Sequence, residues 1–338
     1  VTLQSFLKRI RLPGWAVGGA RLAVVLAAVL FLARGVAWDQ VARALRDASL
    51  PLLAAVVGLN AVMMAVKAVR LRLLLDRRST FAVCALAKLT ASAMNNVTPF
   101  RGGDLARVWM LERHAGVSKS AAAVVAIVEQ LFEAIALSAM TAVAVCLVPG
   151  QRWAMLAAPS VLVLSVAILV LAGRAGTGEQ VAPSRPEPGR GATLLGRLRS
   201  RIAPAVSVLR EGRVTGISLA LSVVDWILEA SMVVLCARAI GLPIPVPLAF
   251  VVLLGINAAM LLPSMPASAG AFEAGATLVL VLAGIPKPTA VAFALLYHLV
   301  QVVPVTLAGL LVSLRVGFTL GGLPARPAEA SSRSHSTR

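Results

Sequence analysis

Charge is scarce in this chain. Only 14% of its residues are Asp, Glu, Lys or Arg, with 14 acidic against 32 basic. An ordinary soluble domain carries about a quarter charged residues, so a water-facing surface over most of the molecule is excluded. Aromatic residues make up 4% and do not interleave with the basic ones as base-stacking platforms would, which argues against a nucleic-acid partner despite a formal net charge of +18. Cysteine is limited to Cys84, Cys146 and Cys236, all in apolar sequence. Those spacings offer neither a metal site nor a framework of bridges. Burial as small apolar side chains is the expected fate, with a Cys146–Cys236 disulfide near the outer ends of two helices as the alternative.

What the chain has in quantity is hydrocarbon: 59% hydrophobic residues and a mean hydropathy of +0.89. Apolar runs near 16–35, 50–66, 120–148, 153–172, 214–237 and 289–314 are each long enough to cross a bilayer core of roughly 30 Å as a helix, giving about six spans. The first run is long, is interrupted by Arg21 and lacks a small-residue cleavage site, so it reads as a retained span rather than a signal peptide.

The basic residues cluster between spans: Lys8, Arg9 and Arg11; Lys67, Arg70, Arg72, Arg77 and Arg78; eight arginines from Arg174 to Arg213; and Arg315, Arg326, Arg333 and Arg338. The positive-inside rule puts all of these in the cytoplasm. The expectation is a multi-pass protein of a bacterial plasma (inner) membrane with both termini cytoplasmic.

Two stretches read as copies 168 residues apart: Ala115-Gly116-Val117-Ser118-Lys119-Ser120 and Ala283-Gly284-Ile285-Pro286-Lys287-Pro288. Gly102 and Gly270 keep the same offset, and a Pro/Gly-rich polar break precedes each copy, Asn95 to Asp104 in one and Pro263 to Glu273 in the other. Interrupted apolar segments at matching positions of two halves are how transporters place a site at mid-depth. Because 67–80 and 101–119 are both basic, the apolar segment 81–97 between them should enter and leave on one side, returning through Asp104–Ala115. Segments 247–262 and 271–283 would do the same from the other side. The fold expected is all-α and polytopic, about six transmembrane helices plus two re-entrant helical hairpins in an inverted repeat (about 80–148 and 247–315). It forms a single membrane domain over 1–320 with a cytoplasmic basic loop at 173–213 and a disordered cytoplasmic tail at 321–338. The alternative is that each break is an ordinary loop between short full spans.

Ionisable residues within spans are functional candidates by default. Glu129 with Glu133, and Asp225 with Glu229, form pairs one turn apart on a helix face. Buried like charges so close push at least one carboxyl toward its protonated form unless a cation intervenes, and Lys88, Arg101 and Arg107 are available. Such a cluster serves either a polar cavity for a headgroup or a proton, or helix packing through structural ion pairs. A carboxylate-bridged di-metal centre would need Glu-x-x-His units, which the chain lacks; no cofactor and no metal is expected. His298 stands 168 residues after Gln130 and either faces the same pathway or is a hydrogen-bonded packing residue. Pro99, Pro263 and Pro266 stop the helices, and Gly102, Gly103 and Gly270 permit unusual backbone. Asp104 and Glu273 open the helices that restart, where capping competes with ligand contact. Exposed amides there, beside Arg101 and Arg107, would make a phosphate cradle.

The set Asn95-Asn96-x-x-Pro99-x-Arg101-Gly102-Gly103-Asp104-x-x-Arg107, then Glu129, then Pro263-x-x-Pro266-x-x-x-Gly270-x-x-Glu273 resembles the transmembrane region of the lysylphosphatidylglycerol synthase family, also called the flippase-like domain family. The resemblance covers roughly 20–315. It implies a polytopic protein that moves lipids or lipid-linked headgroups between leaflets, here without the aminoacyl-transferase domain some members carry. Three positions depart from the family pattern: Asp104 in place of Glu, Gln130 in place of Arg, and Ala267-Ser268 in place of two glycines.

The expected function is translocation of an anionic phospholipid or polyprenyl phosphate, with Asn95, Asn96, Pro99, Arg101, Gly102, Gly103, Asp104, Arg107, Glu129, Glu133, Pro263, Pro266, Gly270, Glu273 and His298 as the substrate-binding set. No enzyme activity is expected, since no nucleophile and base pair stands near the breaks. The alternative is a non-transporting subunit that recruits a lipid-modifying enzyme through the arginine-rich loop.

Overall fold

The computed structural model describes residues 36–77, 79–98, 102–147, 211–261 and 266–315. The runs 16–35 and 153–172, the stretch 173–210, Pro99, Arg101, Pro263 and the tail after 315 lie outside the described residues.

Those residues form nine α-helices and no strand. They are α1 (Trp38–Arg46), α2 (Leu50–Leu74), α3 (Phe81–Val97), α4 (Gly102–Ala115), α5 (Lys119–Val145), α6 (Gly212–Ala239), α7 (Val246–Ala259), α8 (Ala271–Leu282) and α9 (Lys287–Arg315), with a short 3₁₀ turn at Pro266–Ser268. Four of them, α2, α5, α6 and α9, are long and apolar enough to cross a membrane. The chain is thus a polytopic helical membrane protein. Its outward faces carry exposed Val62, Ile127, Val143, Leu307 and Leu311, as lipid-facing helices require.

Local chemistry fixes the boundaries. Thr80 caps α3 by accepting from the Val83 N–H at 3.3 Å, and Ser118 caps α5 by accepting from the Ala121 N–H at 3.3 Å. Pro51 sits in the first turn of α2 and Pro247 in that of α7, where the missing N–H costs nothing. Gly116 and Gly284 end equivalent helices with φ of 63° and 85°, a conformation that favours glycine.

The order long helix, two short helices, long helix occurs twice, as α2–α5 and α6–α9. The short helices pack as hairpins, α3 on α4 and α7 on α8. Their closeness depends on glycine: a Cβ on Gly103 would lie 1.8 Å from the Ala91 carbonyl oxygen, and one on Gly275 would lie 2.7 Å from that of Gly255. Contacts between halves run crosswise, α5 against α7 and α9 against α3, while α2 lies along α6.

Two large apolar cores result, and a small third joins Val41 of α1 to Val291 and Ala292 of α9. Of the large two, one joins the end of α2 to α3, α4 and α5 as far as Phe132; the other joins α5 from Ala136 onward to α6–α9. Between them, at Glu129 and Glu133 of α5, lies a polar layer.

One expectation is corrected here. Lys67 and Arg70 do not belong to a cytoplasmic basic loop, because α2 runs on to Leu74 and carries both within its last turns. The stretch 50–66 underestimates the helix, since the charges that seem to end it are paired inside the protein. The three cysteines are free thiols, with Cys84 and Cys236 buried and Cys146 exposed, so no Cys146–Cys236 bridge is present.

Candidate functional site

The polar layer is built on Glu129, whose side chain is 1% exposed. Its Oε2 faces Lys88 Nζ of α3 at 2.9 Å and Arg107 Nη2 of α4 at 2.6 Å. Its Oε1 lies 3.7 Å from Arg70 Nε of α2. Four helices are therefore tied to one carboxylate. Arg70, fully buried, also pairs with Glu133 through Nη2 and donates from Nη1 to Ser222 Oγ of α6 at 2.8 Å. Ser222 in turn donates to the Ser218 carbonyl at 3.0 Å, so the guanidinium meets a hydroxyl oxygen free to accept.

On α6, Asp225 faces Lys67 Nζ at 3.6 Å. Glu229 accepts from the Gln301 amide at 2.8 Å; that same amide donates to Tyr297 Oη at 2.9 Å. Asn60 of α2 donates to the Gln301 backbone carbonyl at 3.1 Å. Charges this deep are retained when paired or hydrogen-bonded, and each carboxylate of the layer has such a partner, in a network that draws on six helices.

The second hairpin has its own polar joint. Glu273 reaches back to the Gly270 N–H at 2.7 Å and meets His298 Nδ1 at 2.6 Å, while His298 Nε2 lies 3.0 Å from the Ala267 carbonyl oxygen. The imidazole stacks on Phe272 with ring centres 4.4 Å apart. His298 thereby joins α8, the 3₁₀ turn and α9. Ala267 and Ser268 both have φ of 57°, the left-handed region, which accounts for the glycines the family pattern places at these two positions.

A cavity of about 310 Å³ opens between the hairpins. The first break contributes Asn95, Asn96 and Asp104 to its lining, and the second contributes Ala267 and Ser268. Lys67, Lys88, Arg107, Glu133, Glu229, Gln301 and His298 complete its polar walls. Of the substrate-binding set read from sequence, Asn95, Asn96, Asp104, Arg107, Glu133 and His298 therefore line one cavity. Glu129 and Glu273 stand behind it and hold lining residues in place. Pro266 begins the 3₁₀ turn.

Gly102, Gly103 and Gly270 do not line the cavity, and their amides are not a phosphate cradle. The Gly102 N–H donates to Thr98 Oγ1 at 3.1 Å, the Gly103 N–H to Asn95 Oδ1 at 2.9 Å and the Gly270 N–H to Glu273. Side chains from the breaks already satisfy the donors that a helix start leaves open.

Sequence reasoning missed Lys67, Arg70, Asn60 and Gln301. A signal existed: Val56, Asn60, Met63, Lys67, Arg70 and Leu74 recur at alternating three- and four-residue steps, the spacing of one helix face.

A family model described as the lysylphosphatidylglycerol synthase TM region matches residues 19–309. No curated protein gives a significant match. The chain belongs to the lysylphosphatidylglycerol synthase TM region family.

Proposed function

Taking that membership as the premise, we propose that the chain is a lipid translocator whose two hairpins re-enter the bilayer from opposite faces and pass a phosphate-bearing headgroup, of a phospholipid or a polyprenyl phosphate, through the cavity between them. One observation carries this reading: a single polar cavity of about 310 Å³, at the small end of ligand sites, takes its lining from both breaks. Its size suits a headgroup and leaves the acyl chains to the lipid. Support for an inverted repeat comes from the repeated helix order, the 168-residue offset and the crosswise packing of α5 and α9 on the other half's hairpin. Non-helical backbone at membrane depth is tolerated where it lines such a cavity. In this arrangement the protein sits in a bacterial inner membrane with both termini cytoplasmic. It carries its lipid without making or breaking bonds.

Lys88 and Arg107 supply the phosphate contact. Both already touch Glu129, but an ammonium has three donors and a guanidinium five, and the buried Arg107 Nε has no hydrogen-bond partner. The test is leaflet exchange in proteoliposomes, using labelled phospholipids and a labelled polyprenyl phosphate, with Lys88→Gln for comparison. Acceleration by the native chain and slowing in the variant are expected; failure to accelerate any of these lipids overturns the proposal.

A further inference from the structure

Charge in the cavity is divided by wall. At the α3 and α4 wall, Lys88 and Arg107 share one oxygen of Glu129 and Arg70 stands behind the other, so three cations meet one carboxylate. At the α6 wall, Lys67 is the one cation within 4.0 Å of Asp225 or Glu229 among the described residues, with Arg70 farther off on Ser222. Glu229 has no cation within 4.0 Å among the described residues and accepts instead from the Gln301 amide. Beside it, Asn60 is 2% exposed, lines the cavity and has no hydrogen-bond partner for Oδ1. Glu133 lies between the two walls on Arg70. Lys67, Arg70, Lys88 and Arg107 together balance Glu129, Glu133, Asp225 and Glu229. The Glu273–His298 pair and the exposed Asp104 stand outside this balance.

On the reading that this cavity receives a lipid headgroup, we propose that it selects a zwitterionic headgroup of the phosphoethanolamine type, phosphate toward Lys88 and Arg107 and primary ammonium toward Glu229 and Asn60 Oδ1. A net-neutral dipole complements both walls and leaves the balance undisturbed. A phosphoglycerol headgroup would add an uncompensated negative charge to a site whose four cations are already matched by four carboxylates, with Asp104 a further acid on its lining, where the dielectric is low. Phosphocholine is neutral too, but its quaternary nitrogen has no N–H to give Glu229 or Asn60. Such groups are held by aromatic cages, and among the described residues the lining offers Phe272 and the His298 imidazole alone.

The test reads binding without movement. The full chain is exchanged into detergent with equimolar phosphatidylethanolamine, phosphatidylcholine and phosphatidylglycerol of identical acyl chains, and retained lipid is counted by native mass spectrometry. Phosphatidylethanolamine should be retained about tenfold over either competitor, the ratio that one charge-assisted hydrogen bond of about 1.4 kcal/mol supplies. Glu229→Gln, which keeps the shape and a carbonyl for Gln301, should erase the preference over phosphatidylglycerol. Lys88→Gln should lower all three together, since the phosphate is common to them. Phosphatidylglycerol retained as well as phosphatidylethanolamine by the native chain overturns the assignment, and so does phosphatidylcholine retained equally. Native-chain retention decides the matter even where a variant misfolds. A chain that holds phosphatidylethanolamine yet fails in leaflet exchange refutes the translocator and leaves the headgroup assignment standing; one that moves phosphatidylglycerol and ignores phosphatidylethanolamine does the reverse.

Discussion

Arg70→Met removes the one cation within 4.0 Å of Glu133 among the described residues. The change preserves much of the side chain's volume and apolar stem, so the charge is the main quantity altered. Glu129 keeps Lys88 and Arg107 and suffers little. Glu133 is left with the Gln130 amide at 3.4 Å, and Ser222 loses its donor. Breaking a buried ion pair from one side costs about 3–5 kcal/mol. Because the Glu133 side chain retains 18% exposure, the lower end applies, about 3 kcal/mol. Adding Glu133→Gln removes the stranded charge and should return about 2 kcal/mol of that loss, since replacing both partners is far milder than removing one.

Denaturant unfolding in micelles measures both variants. The Trp226 indole donates to the Glu133 carbonyl at 2.9 Å and reports locally by fluorescence. An Arg70→Met variant within about 1 kcal/mol of the native chain, inside the ordinary range of substitutions, would refute the reasoning. A double variant no more stable than the single one would refute it as well.

Four further outcomes are expected. Gly103→Ala should destabilise by at least about 2 kcal/mol, since its Cβ would meet the Ala91 carbonyl at 1.8 Å, while Gly58→Ala, with nothing within 4 Å, should be neutral or mildly stabilising in the same unfolding assay. Ala267→Gly and Ser268→Gly should each raise stability by about 0.5–1 kcal/mol, the cost of the left-handed conformation less the extra freedom of glycine when unfolded; a lower thermal midpoint would count against the strain. His298→Phe should cost about 1–3 kcal/mol by leaving Glu273 Oε1 without its partner, and Glu273→Gln should cost less. Maleimide should modify Cys146 in the folded protein and reach Cys84 and Cys236 only after unfolding.

The short helices were legible in the sequence because their ends are local events. Proline, glycine and hydroxyl caps at 80, 98, 102–103, 245–247 and 270 act within one turn, and the expected segments 81–97 and 271–283 nearly coincide with Phe81–Val97 and Ala271–Leu282. The spans 120–148, 214–237 and 289–314 were legible from apolar length alone. Lys67 and Arg70 were not, because a charge beside an apolar run reads as a loop unless its partner is known, and Asp225 and Glu133 lie 158 and 63 residues away. The same distance hid the cavity. Asn60 and Gln301 are unremarkable polar residues until α2 and α9 are side by side.

The repeat explains how the charge pattern is distributed. At the 168-residue offset, Glu129, Gln130 and Glu133 of α5 correspond to Tyr297, His298 and Gln301 of α9, and all but Glu129 and Tyr297 line the cavity. Of the three cations that serve the first set, Lys88 and Arg107 correspond to Ile256 and Gly275, and Arg70 corresponds to the exposed Arg238. Two carboxylates and two of their three cations in one half are thus replaced by neutral groups in the other, and the third position keeps its charge where it is exposed. The neutral side keeps its place in the network by hydrogen bonds, Gln301 linking Tyr297 to Glu229. Had acids alone been lost, Lys88 and Arg107 equivalents would be buried without partners, at a cost of several kcal/mol each, on the order of the penalty for any lone buried charge. Paired replacement makes the two hairpins unlike in polarity, with Lys88 and Arg107 on the first and Ile256 and Gly275 at the matching positions of the second.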